Sequence, residues 1–262
     1  MKIVVKIGGA ALEDKSRLRK CARAIVELAQ DGHHVAVVHG GGSALTRTLK
    51  LLGKESDFVN GLRITDAETR DVALMVLSGI VNKSLVAAIV AAGSAAVGLC
   101  GADGMAFRAR KKQNAGGCDL GFVGEICYAE PRWIEAIWSA GGIPVLSSVA
   151  LGSDGEYYNI NADQMASACA VACHADSLIF LTDVDGVKDA DGIVIPWLNT
   201  KDVAALIADS VVGGGMLPKL EACSQALHKG VGRVRILPAA QVEILPQFYF
   251  TKLACGTEVI GA

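Results

Sequence analysis

No apolar run in the 262-residue sequence reaches the ~20 positions that a membrane-spanning helix needs, because charge or turn residues interrupt each one. A membrane partner is therefore not expected. Met1 to Val5 leads directly into a strand pattern, with no basic segment followed by a long apolar one, so a secretory leader is not expected either. Basic residues cluster only at Arg108, Arg110, Lys111 and Lys112, and the formal net charge is -2; without a broad basic face, nucleic acid is not an expected partner. Proline is scarce, at 6 against 30 glycines, which points to tight turns and close backbone approaches to ligands. Several signatures are missing. The absence of GxxxxGK[ST] excludes a P-loop enzyme, and the absence of GxGxxG after the first strand weakens a dinucleotide reading. GxSxG, HExxH and the HRDxxxxN catalytic loop are absent as well.

Cysteine pairing with metal-ligand spacing is also lacking. Cys21, Cys100, Cys118, Cys127, Cys169, Cys173, Cys223 and Cys255 are scattered among apolar residues, and Cys169 and Cys173 form the one close pair, a four-residue step on one helix face. Two ligands without a second pair make no zinc site. Buried small hydrophobes are the main reading, with a redox or metal role as the alternative. Eight such thiols suit a reducing compartment, so the cytoplasm is expected.

With 52% apolar and 20% charged residues the chain is a folded globular protein, long enough for one large α/β domain or two fused lobes. A strand over Lys2–Ile7 closes on Gly8-Gly9; a helix follows over Lys15–Asp31, then a β-branched run over Val35–Val38, then Gly40-Gly41-Gly42 and a helix. This alternation implies a parallel sheet covered by helices. It continues with Thr65 as N-cap and Glu68 at the capping-box spacing, a helix to about Leu77, another through Ala91, and a strand over Ala95–Leu99. Phe107–Tyr128 reads as short strands or a hairpin projecting from the sheet. Helices are expected over Pro131–Ala140, Ala162–Cys173, Thr200–Asp209 and Leu217–Leu227, and strands over Ile143–Ser148, Ser177–Leu181, Arg233–Leu237 and Thr257–Ile260. No Ser/Pro-rich linker separates domains, so two lobes sharing a sheet, 1–175 and 176–262, are expected.

Lys6 is the second-last residue of a strand that is otherwise apolar. A lysine there is costly to desolvate unless an anion meets it, and strand ends are where such sheets bind ligands. A phosphate ligand and a snorkelling edge lysine are both open readings. Gly8 and Gly9 can bring backbone N–H groups to an anion, and Gly40-Gly41-Gly42 repeats the device before a helix; a tight turn is the plainer alternative. His39 beside it is either structural or functional. Arg63 precedes a helix start and can clamp a carboxylate or be simply solvated. Asn161 is a cap candidate, and Asp163 in the first helical turn either completes the cap or orients nearby lysines. Lys219 opens a helix after Gly213-Gly214-Gly215, where it opposes the helix field and asks for an anionic partner.

KIGGA at Lys6–Ala10, HGGG at His39–Gly42, NGLRIT at Asn60–Thr65, VNK at Val81–Lys83, NINADQ at Asn159–Gln164, LTDVDGV at Leu181–Val187, GGGMLPK at Gly213–Lys219 and GTEV at Gly256–Val259 together resemble the acetylglutamate kinase family of the amino-acid kinase superfamily, in order and over essentially the whole chain. The resemblance implies an α/β fold, a three-layer αβα sandwich around a largely parallel sheet of about eight strands. It implies an N-terminal lobe for the acylated amino acid and for dimerisation, and a C-terminal lobe for ATP. It implies that Lys6 and Lys219 contact the transferring phosphoryl group and that Asp163 holds them. Gly8, Gly9, Gly41 and Gly42 would donate N–H bonds around the phosphoryl and acceptor groups. Arg63 and Asn159 would bind the α-carboxylate of N-acetyl-L-glutamate. Asp183, Val184, Asp185, Gly186 and Val187 with Gly213, Gly214 and Gly215 would line the adenine and ribose site. Mg2+ would ride on the ATP phosphates, with no protein metal site. Arginine-inhibited members of the family carry an extra N-terminal helix that links dimers into hexamers. This chain begins almost at its first strand, so a homodimer without arginine feedback is expected. Relatives that act on carrier-linked aminoadipate replace the NGLR and NxNAD surroundings, and both are retained here.

Overall fold

The computed structural model describes residues 1–113, 117–209, 211–246 and 255–261. In chain order the strands are β1 (Lys2–Ile7), β2 (His34–His39), β3 (Phe58–Val59), β4 (Leu62–Arg63), β5 (Ala96–Leu99), β6 (Phe107–Lys111), β7 (Val123–Ala129), β8 (Ile143–Ser147), β9 (Val149–Gly152), β10 (Tyr157–Ile160), β11 (Ser177–Thr182), β12 (Trp197–Asn199), β13 (Arg233–Pro238) and β14 (Thr257–Ile260). The α-helices are α1 (Gly9–Glu13), α2 (Lys15–Gln30), α3 (Gly42–Leu51), α4 (Ala67–Ala73), α5 (Asn82–Ala91), α6 (Arg132–Ser139), α7 (Ala162–Ala172), α8 (Thr200–Ala208) and α9 (Met216–His228).

Eight strands form the central sheet in the order β12-β14-β13-β11-β1-β2-β8-β5, every neighbouring pair parallel except β13–β14. Its central strands are apolar on both faces because both faces are covered. Successive side chains of β1 alternate between two cores. Ile3, Val5 and Ile7 join Ile25 and Leu28 of α2 with Leu85 and Ile89 of α5. Val4 joins Phe180 of β11, Met165 and Cys169 of α7, and Leu220 and Cys223 of α9. Period two therefore sends Lys6 toward α7, on the same face as Val4. The result is the expected αβα sandwich.

Four findings correct the sequence reading. The helix cap is Asp66, whose carboxylate accepts from the Thr69 N–H; Thr65 is held in extended backbone by bonds to Leu120 and Phe122, so the helix starts one residue later. The two helices expected up to Ala91 are one continuous helix, Ala67–Ala91, with a π-helical stretch, Leu74–Val81, joining α4 to α5. That 25-residue helix is long and apolar enough to cross a membrane by length and composition, although Val72, Val76, Leu77, Leu85 and Ile89 are buried against the protein. Lastly, β6 and β7 do form a hairpin, but it closes with β9 and β10 into a four-stranded barrel. Residues 114–116 of the hairpin connection lie outside the described residues.

The cysteines are free thiols, five of them buried. Burial pushes the Cys21 thiol up to about 11, and a hydrogen bond with Cys173 together with burial raises that of Cys169. No cluster of three or more metal-ligating side chains occurs among the described residues.

Candidate active site

The carboxyl ends of β1, β2 and β11 lie side by side, where an open parallel sheet offers its ligand crevice. Helices α1, α3, α7 and α9 begin around this edge. The positive ends of their dipoles make it an electropositive region before any side chain is counted.

At its centre is a buried three-residue charge cluster. Lys6 Nζ lies 2.9 Å from Asp163 Oδ1, and Lys219 Nζ lies 3.1 and 3.0 Å from Asp163 Oδ1 and Oδ2. The three side chains are only 10%, 9% and 7% exposed for Lys6, Asp163 and Lys219. Lys6 arrives from the end of β1, Asp163 from the first turn of α7, and Lys219 from the first turn of α9. Asn161 caps α7 as expected, accepting from the Asp163 and Gln164 N–H groups. Burial alone would raise the Asp163 pKa, but the two ammonium groups outweigh it and hold the carboxyl below its ordinary range. Lys219 is displaced downward, first by burial and then by the nearby Lys6 charge, against the pull of Asp163. Two ammonium groups on one carboxylate leave a net positive charge facing the strand ends.

The glycines gather beside this cluster. The Gly8 N–H donates to Leu181 O at 3.1 Å and the Gly40 N–H to Ile7 O at 3.0 Å, which ties the three strand ends together; against expectation, the Gly8 N–H is therefore spent on the sheet and is not a donor to a phosphoryl group. A Cβ on Gly9 would lie 3.6 Å from Gly42 N and 3.8 Å from Gly41 N, so these amides converge on a space that glycine alone leaves open. Gly41 has φ 153°, which favours glycine, and a Cβ there would fall 2.7 Å from Leu77 Cδ2.

From this cradle a cleft of about 150 Å³ runs toward β4 and the barrel; it is lined by Gly40, Gly41, Gly42, Arg63, Asn159 and Ala162 among others. Arg63 is buried, which lowers its pKa, stacks on the Phe58 ring at 4.6 Å, and donates to Ser56 Oγ, Gly42 O (3.1 Å) and Thr46 Oγ1 (2.7 Å). Arg63 is thus not the solvated residue that spacing alone left open. Asn159 enters from β10 and donates to Thr65 Oγ1 at 3.4 Å. A larger cavity, of about 590 Å³, lies against the outer faces of α7 and α9 but contains neither the lysines nor the glycines. The converging donors, not volume, mark the site.

Asp183, Val184 and Asp185 are exposed after β11, while Gly186 and Val187 are buried; the Val187 N–H donates to Thr257 Oγ1 at 2.8 Å. Asp185 borders a cleft of about 300 Å³ with Pro196, Pro238 and Gly256. Gly213, Gly214 and Gly215 form an exposed turn before α9, and Gly214 O would lie 3.9 Å from a Cβ on Gly61, next to the β3–β4 turn. Sequence reasoning gave no role to Asn82, beyond its place in the VNK motif, or to Ser56 and Thr46, which accept from Arg63. Asn82 carried a signal, since it shares the stripe of Leu85 and Ile89, where a polar residue must find partners.

Residues 1–238 match the family model described as the amino acid kinase family. The chain is therefore a member of the amino acid kinase family. It is 60% identical over 262 residues to an acetylglutamate kinase of Acidobacterium capsulatum, covering 100% of both, and 58% identical over 261 residues to that of Koribacter versatilis, covering 100% of this chain and 99% of the relative. Within that family it belongs with the acetylglutamate kinases. Among solved structures, N-acetylglutamate synthase from Neisseria gonorrhoeae, complexed with coenzyme A and N-acetyl-glutamate, superposes with TM-score 0.87 at 26% identity, over 99% of this chain and 59% of that one. A Streptococcus mutans protein gives TM-score 0.82 at 28% identity, over 99% and 98% of the two chains.

Proposed function

We propose that the chain transfers the γ-phosphoryl group of ATP to the γ-carboxylate of N-acetyl-L-glutamate, giving N-acetyl-L-glutamyl 5-phosphate and ADP, the phosphorylation step of arginine biosynthesis. The single observation that carries the assignment of roles is the buried Lys6–Asp163–Lys219 cluster beside the converging amides of Gly41 and Gly42. Transfer between two anions fails in water through repulsion, and charge spreads over the equatorial phosphoryl oxygens as the bond to ADP loosens. Lys6 and Lys219 offset that charge from fixed positions, and the amides of Gly9, Gly41 and Gly42 add donors that need no reorganisation. Asp163 keeps the two ammonium groups together. The acceptor carboxylate, with a reference pKa of ≈ 4.3, is already ionised at neutral pH, so no general base is required. Arg63 and Asn159 hold its α-carboxylate and thereby aim the γ-carboxylate at the phosphorus.

The nucleotide base and ribose lie along Asp183–Val187 and Gly213–Gly215. Asp163 is spent on two lysines, a donor that suits Mg2+ carried on the ATP phosphates rather than held by this carboxylate. The magnesium would neutralise phosphate charge. Residues 1–175 form the acceptor lobe and 176–262 the nucleotide lobe, joined where β1 pairs with β11. Met75 and Ile80, at 60% and 64% exposure on the outer side of the long helix, support a homodimer through that face. The free thiols support a cytoplasmic setting.

The test is ADP release from MgATP with N-acetyl-L-glutamate, glutamate, aspartate, aminoadipate and UMP compared, and hydroxylamine trapping of the acyl phosphate. Turnover with acetylglutamate and a hydroxamate product is expected. Faster turnover with any other acceptor would overturn the assignment.

A further inference from the structure

The glycine cradle is held from behind by two buried side chains. His39 is the last residue of β2 and is fully buried. Its Nδ1 lies 2.7 Å from Gly40 O. A carbonyl only accepts, so Nδ1 carries the hydrogen. Its Nε2 lies 3.1 Å from Asn82 Nδ2, and an amide nitrogen only donates, so Nε2 is the acceptor. Both contacts specify one neutral tautomer. Burial agrees with this, pushing the His39 pKa down to about 4 against the opposing bond to Gly40.

Asn82 is itself fixed. It is fully buried where the π-helical stretch passes into α5, and its Nδ2 also donates to Val145 O at 2.9 Å. Room for it depends on Gly98 of β5, where a Cβ would lie 1.9 Å from Asn82 Oδ1. The same π-helical stretch supplies Leu77 and Val81, which pack where a side chain on Gly41 would stand, and Ser78, whose Oγ is 2.8 Å from Ser147 Oγ. A π-helical insertion displaces the residues after it and is commonly found at functional sites.

We infer that Asn82 and His39 are positioning residues for phosphoryl transfer, fixing the Gly40–Gly41 peptide plane so that the Gly41 N–H stays aimed into the cradle. In a trans peptide the carbonyl of one residue and the N–H of the next point in opposite directions within one plane. Holding Gly40 O against His39 therefore turns the Gly41 N–H the other way, to the side where Gly42 N also approaches the open space at Gly9. Glycine on both sides makes that plane easy to rotate, so it needs an external anchor. His39 moves no proton and touches no substrate.

The inference rests on the proposed phosphoryl transfer, and wild-type turnover with acetylglutamate is the control that tests that reading separately. Three variants of the full chain are compared by steady-state kinetics and thermal midpoint. The amide nitrogen of His39→Asn falls where Nδ1 stood and can still donate to Gly40 O. The amide nitrogen of His39→Gln falls where Nε2 stood and cannot. His39→Leu removes both. Misplacement of a reacting or stabilising group by about 1 Å can cost ~100-fold, so kcat of His39→Gln and His39→Leu is expected to fall about 10- to 100-fold, with both KM values within about threefold. His39→Asn is expected to recover to within about fivefold of wild type. If His39→Leu does not fold, the Asn and Gln variants decide between themselves. Equal activities for those two, or activities that follow thermal midpoint rather than the Gly40 donor, would overturn the inference.

Discussion

The charge arithmetic of the buried cluster makes an unequal pair of predictions for Asp163→Asn and Lys219→Ala. The cluster holds two ammonium groups and one carboxylate, a net charge of +1. Lys219→Ala leaves the Lys6–Asp163 pair neutral. Asp163→Asn leaves two like charges, each formerly about 3 Å from the lost carboxylate, with side chains that are 10% and 7% exposed. At an effective dielectric constant of 20, each lysine–carboxylate contact at ~3 Å corresponds to roughly 5 kcal/mol of gross attraction. The net cost is smaller because desolvation offsets much of it, and breaking a buried pair typically costs about 3–5 kcal/mol.

Asp163→Asn should therefore unfold about 3–5 kcal/mol more easily, a fall in Tm on the order of 10 °C for a chain of this size. Nucleotide should recover part of that loss, because a polyphosphate supplies the missing negative charge. Lys219→Ala should stay folded and lose turnover by about 10²–10³-fold, the usual effect of removing one fixed transition-state donor. The assays are urea unfolding with and without MgATP, and ADP release with acetylglutamate. Asp163→Asn as stable as wild type, or Lys219→Ala within twofold of wild-type turnover, would refute the reasoning.

Arg63→Ala should raise KM for the acyl amino acid by about 10-fold or more, as loss of a charged hydrogen-bond partner implies, with KM for ATP little changed; a change confined to ATP would put Arg63 on the nucleotide instead. Gly9→Ala adds a methyl group 3.4 Å from Ser43 Oγ and close to the Gly41 and Gly42 amides, in backbone that alanine accepts. Its Tm should hold while kcat drops at least tenfold, about the effect of partly displacing one fixed donor; unchanged kinetics would mean that the cradle faces elsewhere. His39 has its folded pKa depressed from 6.5 to about 4, so its stabilisation is fully present above 6.5 and is lost as pH falls toward 4. At about 1.4 kcal/mol per unit that is roughly 3 kcal/mol, and the unfolding free energy of wild type should fall by that much more than that of His39→Asn between the two pH values. Parallel pH profiles would count against a neutral buried imidazole.

Local patterns were readable wherever a residue's role depends on its own element. Period two along Lys2–Ile7 sends Lys6 to one face, and the Asn161 cap follows from side-chain chemistry at a helix start. The unusual placement of Lys219 at a helix start called for an anion, and Asp163 supplies one. What sequence could not supply was the meeting itself. Asp163 lies 56 positions before Lys219 in the chain, and only the parallel order β11-β1-β2 brings α7 and α9 onto one sheet face. The Thr65 cap failed for a related reason: tertiary bonds to Leu120 and Phe122 held its backbone extended and passed the cap to Asp66. Closure of β6, β7, β9 and β10 into a barrel depends on pairings between segments separated by helix α6, which hairpin periodicity does not register.

The same geometry suits a chemistry that needs no general base. His39, at the strand ends, has both ring nitrogens engaged, one on Gly40 O and one on Asn82, and burial keeps it neutral. Asp163 holds two lysines, whose charges pull its pKa down and make its carboxylate a weak base. An acceptor hydroxyl would need a group to take its proton, and His39 and Asp163 are both poorly suited to that task. A carboxylate brings no proton and needs only its repulsion from ATP overcome, which a net positive cluster and convergent amides provide. The proposed selectivity for a carboxylate acceptor thus begins in the protonation states of Lys6, Asp163 and Lys219, ahead of the recognition proposed for Arg63 and Asn159.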